Sequence, residues 1–263
     1  MEQLEHLIDA LHMEDLCNEG HPAIFDRNPG YDMLIVRLPE IGRVLEVRSV
    51  GFVLTHETAY FYNREERRFE VFDDRFEGPH RMVDAMTDRL MKGFLHYQER
   101  IADMEEALYG DRVTEGFMTR WLEYKRDILR IERVLMRSSE AVKGVIEAYE
   151  ELESFPVNHY ADIFEHMERI MRSATLQLSK LDYLYNFYNV RTGEKMNRMI
   201  YLLTIISAIF LPLNLVVGFF GMNTGGLPFS EGNRGTLYAV LLMATLMTVT
   251  SAVVYLWRRK IEK

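Results

Sequence analysis

Ile200–Phe220 reads IYLLTIISAIFLPLNLVVGFF, twenty-one residues without a charged side chain. As a helix rising ~1.5 Å per residue, this stretch is roughly 30 Å long, the thickness of a bilayer's hydrocarbon core. Leu237–Trp257 (LYAVLLMATLMTVTSAVVYLW) repeats the pattern, with Tyr255 and Trp257 where an interfacial aromatic belt places such rings. Only residues 221–236 lie between the two stretches. The spacing predicts two closely spaced transmembrane helices joined by a short loop.

The first stretch is not uniformly apolar. Asn197, Ile200, Thr204, Ser207, Leu211, Asn214 and Gly218 follow one another at alternating steps of three and four, which is one stripe along a helix. Amides and hydroxyls in hydrocarbon need partners, so the stripe should face protein or water rather than lipid. Two readings fit. Small and polar residues could glue neighbouring helices together, or symmetry-related copies could ring an aqueous path, with Asn oxygens beside a hydrated ion. The second reading requires an oligomer, because two spans cannot enclose a pore. Pro212 should loosen the helix locally by freeing the carbonyl of Ala208. In the second stretch Thr245, Thr248, Thr250 and Ser251 can bond back to their own helix, which reads as a supporting outer element.

Charge divides the chain. Residues 1–196 hold 38 Asp and Glu against 25 Lys and Arg, whereas residues 197–263 hold 2 against 6. An acidic N-terminal part favours cations and argues against phosphate-backbone binding, so no nucleic-acid partner is expected. Lys195 and Arg198 precede the first span, Arg258, Arg259, Lys260 and Lys263 follow the second, and Arg234 is the one base in the loop. The positive-inside rule then puts both termini in the cytoplasm and the loop on the far side, periplasmic if the membrane is a bacterial inner membrane. The five acids within Met1–Leu16 predict no cleaved signal peptide. Cys17, the single cysteine, excludes an internal disulfide and reads as a small buried apolar residue.

Upstream of the spans, alternating and β-branched runs at residues 33–38, 43–55, 58–63 and 68–72 predict three or four strands. Beyond Gly78 the period becomes helical, through Met82, Met86, Leu90, Phe94, Ile101 and Met104, then from Phe117 to Leu152, with Gly110 and Pro156 as breaks. From Asn158, read as an N-cap, no proline interrupts the pattern until Pro212. One helix of about 80 Å could therefore run from the cytoplasm into the membrane and act as a gating lever. The expected fold is an α+β membrane protein: a small strand-containing cytoplasmic domain (1–78), a long-helix stalk (79–197), transmembrane helices at 198–220 and 237–257 around a loop at 221–236, and a basic tail (258–263).

On the stalk His159, Asp162 and His166 share a helical face, with Glu165 beside them. Imidazole with carboxylate suits transition metals, and carboxylate with water suits Mg²⁺. A solvated charged face is the plainer reading, and a complete metal site would need ligands from another segment or subunit. His56, His80 and His96 have no such neighbours in sequence and read as ordinary histidines. No phosphate loop, His-Glu-x-x-His helix, Gly-x-Ser-x-Gly elbow or Rossmann glycine run is present, so no enzymatic activity is expected.

Gly221-Met222-Asn223, set directly after the first span, resembles the signature of the CorA family of divalent-cation channels, including its ZntB branch. Leu202-Leu203-Thr204-Ile205-Ile206 and Phe210-Leu211-Pro212-Leu213 look like that family's pore helix, and Asn197 falls where the family has an asparagine at the cytoplasmic pore mouth. Tyr160-x-Asp162-Ile163-Phe164-Glu165-His166 is similar to the family's stalk segment, whose aspartate contributes to a regulatory metal site between subunits. The resemblance implies a homopentamer in a lipid bilayer that moves Mg²⁺, or Zn²⁺, Co²⁺ or Ni²⁺, with no resident cofactor. It also implies Asn223 for outer selectivity, Asn197 for the inner hydration ring, and Ile200, Leu203 and Leu211 for apolar constrictions. Departures are a shortened N-terminal domain, Arg198 in place of an acid common beside the pore asparagine, and a Gly225-Gly226-Leu227-Pro228 continuation closer to the ZntB branch. The alternative of another class is a membrane-anchored metal sensor or scaffold that transports nothing.

Overall fold

Strand-forming residues alternate from Tyr31 onward, and in the structure, a computed structural model describing residues 7–110, 116–222 and 234–261, they build an antiparallel sheet. Its strands are β1 (Ile24–Asn28), β2 (Tyr31–Ile41), β3 (Leu45–Leu54), β4 (Ala59–Asn63) and β5 (Arg68–Val71), paired in chain order as a meander. The sequence predicts three or four strands, and β1 is the addition. Its IFDRN carries two charges and an Asn at a sheet edge, so it lacks the apolar alternation that marks the others. The turn signal was present, since Pro29-Gly30 links Asn28 to its partner Tyr31 and Gly30 holds φ +93°.

The two faces of the sheet have different partners. Tyr31, Met33, Ile35, Val53, Tyr62 and Phe69 form a buried cluster with Ile8 and with Leu16 of α1 (Ala10–Cys17). Gly51 is required beneath α1, because a Cβ there would lie 2.6 Å from Leu16 Cδ2. On the alternate positions, Leu34, Val36, Phe52 and Leu54 are also buried, and α2 (Glu77–Tyr109) and α3 (Phe117–Tyr149) pack against β2. Contrary to the sequence reading, Cys17 is exposed at the end of α1, with its Sγ 3.2 Å from the Tyr62 hydroxyl.

Both long helices expected before the last one are present, and Gly110 caps the first. The third, α4, spans Val157–Phe220 with Pro212 inside it. Asn158 is not its N-cap: the helix already includes Val157, and the carbonyl of Pro156 accepts the amide of His159 at 3.0 Å. Buried residues recur along α4 at Tyr160, Ile163, Met167, Ile170, Ala174, Gln177, Leu181 and Leu184, the three-four rhythm of a helix-packing seam. Side-chain pairs fix the directions. Glu77 meets His159, Gln98 meets Ser173 and Glu105 meets Lys180, so α2 and α4 run parallel. Lys125 meets Asp182 and Glu132 meets Thr175, so α3 runs antiparallel to α4.

Contacts divide the chain into two compact units, residues 1–186 and residues 187–263. The second holds the end of α4 and α5 (Gly235–Ile261). Among the described residues, only α4 contains a helical window both long and apolar enough to cross a membrane, with mean hydropathy 2.3 and none of it buried. The apolar stretch of α5 is shorter, Val240–Leu256.

Candidate functional site

In the second unit, side-chain exposure sorts the residues of α4 by face. All seven stripe positions are exposed: Asn197, Ile200, Thr204, Ser207, Leu211, Asn214 and Gly218, as is Leu203. Half-buried residues lie on the opposite face, at Ile205, Ile209, Leu213 and Val216. A matching row on α5, Met243, Leu246, Thr250 and Val254, is half-buried as well. The polar stripe thus points away from the covered side of this unit. A Cβ added at Gly218 would meet no atom within 4 Å.

Threonine hydroxyls on these helices bond to their own backbone. Thr204 donates to the carbonyl of Ile200 at 2.8 Å, Thr248 to that of Ala244 at 2.8 Å and Thr250 to that of Leu246 at 2.8 Å. Such back-bonding lets a polar residue sit in an apolar helix without an unpaired donor, while the oxygen keeps acceptor capacity. At the end of α4 the amide of Gly221 donates to the carbonyl of Val217 at 2.8 Å, and Met222 is 48% exposed. Asn223, the third residue of the signature, lies outside the described residues.

In the first unit the three metal-ligand candidates of α4 divide between two clusters one helical turn apart. His159 stands with Glu77 and His80 of α2, and Asp162 and His166 stand with Asp84 of α2. Within each trio, one ligand atom per residue lies within 4.8 Å of the others. His166 Nε2 is 3.6 Å from an Asp162 carboxylate oxygen, and His159 Nδ1 is 3.3 Å from a Glu77 oxygen. The side chains that join the candidates of α4 therefore come from α2, and His80, read from sequence as an ordinary histidine, is among them. Glu77, His80 and Asp84 recur at i, i+3 and i+7, the same spacing as His159, Asp162 and His166. That coincidence of spacing on two neighbouring helices is the signal the sequence carried.

The surrounding structure holds both helix starts in place. Asp74 accepts the amides of Phe76 and Glu77, each at 2.8 Å. Those bonds, Glu77's first, hold its carboxyl below the ordinary value. The Tyr160 hydroxyl donates to the carbonyl of Phe76 at 2.9 Å, and burial pushes that phenol above its ordinary value. Phe155 packs on Tyr160 and on Phe76, closing the apolar side.

Comparison with known proteins matches this architecture. The family model described as "CorA-like Mg2+ transporter protein" matches residues 72–260. The cobalt/magnesium transport protein CorA of Thermotoga maritima is 23% identical over 273 residues, covering 96% of this chain and 76% of its own. The complete structure of the CorA magnesium transporter from Methanocaldococcus jannaschii aligns with a TM-score of 0.68 at 13% identity, over 97% of this chain and 84% of that one. The full-length CmaX structure aligns with a TM-score of 0.71 at 18% identity, over 96% and 81%. With the family model covering nearly three quarters of the chain, from just after the last strand into α5, the protein belongs to the CorA family of divalent-metal transporters, which are channels and not enzymes.

Proposed function

We propose that the chain is one subunit of a homopentameric channel that carries divalent cations, Mg²⁺ or a transition metal such as Zn²⁺, Co²⁺ or Ni²⁺, across an inner membrane. The observation that carries this reading is the exposure of the whole polar stripe of α4 on the face opposite its half-buried side. Hydrocarbon is a poor environment for Asn197, Asn214 and the hydroxyls between them, so other copies and water are the fitting neighbours. Five copies arranged with the stripes inward make a path lined by Thr204, Ser207, Asn214 and Gly218, narrowed at Ile200, Leu203 and Leu211. Asn197 and Asn223 stand at its inner and outer mouths. Amide oxygens there hold a hydrated cation without stripping its water shell, the costly step for Mg²⁺.

On this reading α5 is the second span. Its seventeen-residue apolar stretch is ~26 Å long, short of the ~20 residues a helix needs to span hydrocarbon unaided. Leu237 and Tyr238 on one side and the basic residues 258–260 on the other extend it to the interfaces, with both termini cytoplasmic. In the cytoplasmic unit Asp162 and His166, completed by Asp84, serve as a regulatory metal site. Flux of Mg²⁺, Zn²⁺, Co²⁺ and Ni²⁺ into proteoliposomes tests the proposal. Wild-type flux that falls at least tenfold in Asn223→Ala supports it. No flux of any of the four ions, or flux indifferent to Asn223→Ala, points instead to a membrane-anchored sensor or to a different filter.

A further inference from the structure

We propose that Glu77, His80 and His159 form a transition-metal site within a single subunit, separate from the Asp84–Asp162–His166 cluster and independent of transport. Three observations carry it. The trio comes from the first turns of two parallel helices, and its ligand atoms lie within 4.8 Å of one another. His159 Nδ1 and the nearest Glu77 oxygen are 3.3 Å apart, and ~3.3 Å is the edge of a tetrahedron with metal–ligand bonds of about 2.0–2.1 Å. His80 Nδ1 is buried with no hydrogen-bond partner, although its ring lies against that of His159 at a centroid distance of 4.9 Å. A buried imidazole nitrogen left unpaired is uncommon, and a bound cation accounts for it.

Donor chemistry selects the ion. Two imidazoles and one carboxylate match the His₂Glu set that holds Zn²⁺ with water in the fourth position. Mg²⁺ takes six oxygens in near-octahedral geometry and gains little from imidazole, so excess Mg²⁺ should not occupy this site. The cation sits beside two helix N-termini, whose dipoles oppose it, and the Glu77 carboxylate offsets that field at short range. Arg81, with Nε 4.0 Å from the other Glu77 oxygen, competes for the carboxylate.

The test uses the full chain in detergent, stripped with a chelator and titrated with Zn²⁺ under excess Mg²⁺ by calorimetry. X-ray absorption at one equivalent gives the ligand set. The expected result is a tight zinc site, with two imidazoles and oxygen at about 2.0–2.1 Å. It should weaken at least 100-fold in His80→Ala and in His159→Gln, about tenfold in Glu77→Gln, and less than threefold in Asp162→Asn. The His159 side chain is 54% exposed, so His159→Gln should fold and decides the matter even if His80→Ala does not. Unchanged zinc affinity in His159→Gln overturns the proposal, as does a spectrum without imidazole scattering. Equal loss in Asp162→Asn also overturns it, by assigning the zinc to the neighbouring cluster. A chain that binds zinc this way and carries no ion leaves the inference standing and sinks only the transport reading.

Discussion

Gly218→Leu, with Gly218→Ala beside it, separates a pore stripe from an idle helix face. Within one chain a Cβ at Gly218 meets no atom within 4 Å. The position is helical, so replacing glycine by alanine should stabilise the helix by ~0.5–1 kcal/mol, roughly two- to fivefold in the local folding equilibrium. On intrachain grounds Gly218→Ala is therefore neutral or mildly stabilising. If copies of α4 approach along the stripe, the added side chain enters the path or the seam between copies, and its cost appears in flux. We expect Gly218→Ala to lower Mg²⁺ or Zn²⁺ flux measurably and Gly218→Leu to lower it at least tenfold, about 1.4 kcal/mol in the rate. Circular dichroism and thermal midpoint of the detergent-solubilised chain should not fall. Val217→Leu is the control at nearly the same height, about 100° around the helix on an exposed position outside the stripe, and it should leave flux unchanged. Wild-type flux in Gly218→Leu with unaltered oligomer mass would refute the placement of the stripe.

Two further outcomes follow from single side chains. Asp74→Ala removes the acceptor for the amides of Phe76 and Glu77 and should destabilise the start of α2 by about 1 kcal/mol at pH 7, read as a lower unfolding midpoint. Because this carboxyl titrates below its ordinary value in the folded chain, its contribution is complete above the unfolded pKa of ~4. It is lost as pH falls through the lowered folded value, so variant and wild type should converge in strong acid. On the proposed channel Arg198 lies beside the inner mouth, so replacing a ring of positive charges by acids in Arg198→Glu should raise divalent flux at low ionic strength and have a smaller effect at high salt. Flux indifferent to that change at low salt would mean the guanidinium groups turn outward.

The helical half of the chain was legible because its periodicities are long and uninterrupted. Phe94, Ile101 and Met104 are buried as their spacing implies, and α2, α3 and α4 all appear. Short elements carry weaker signals: β1 has charges on a sheet edge and lacks the apolar alternation of a strand, and Asn158 has a cap's chemistry although the helix already includes Val157. For the metal-ligand clusters only the α4 side could be read, since one helix reveals which residues share its face but not which helix lies opposite. Glu77, His80 and Asp84 became partners only once α2 was seen to run parallel to α4. The exposure of Cys17 is illegible for a related reason, because a lone cysteine at a helix end carries no pattern that reports burial.

That exposed Cys17 gives the chain a single chemical handle. A maleimide dye can attach to one thiol per subunit, in the unit remote in sequence from α5, without engineering any other cysteine away. Stepwise photobleaching of labelled assemblies in nanodiscs then counts copies one at a time, and a ceiling of five steps is what the proposed pentamer predicts.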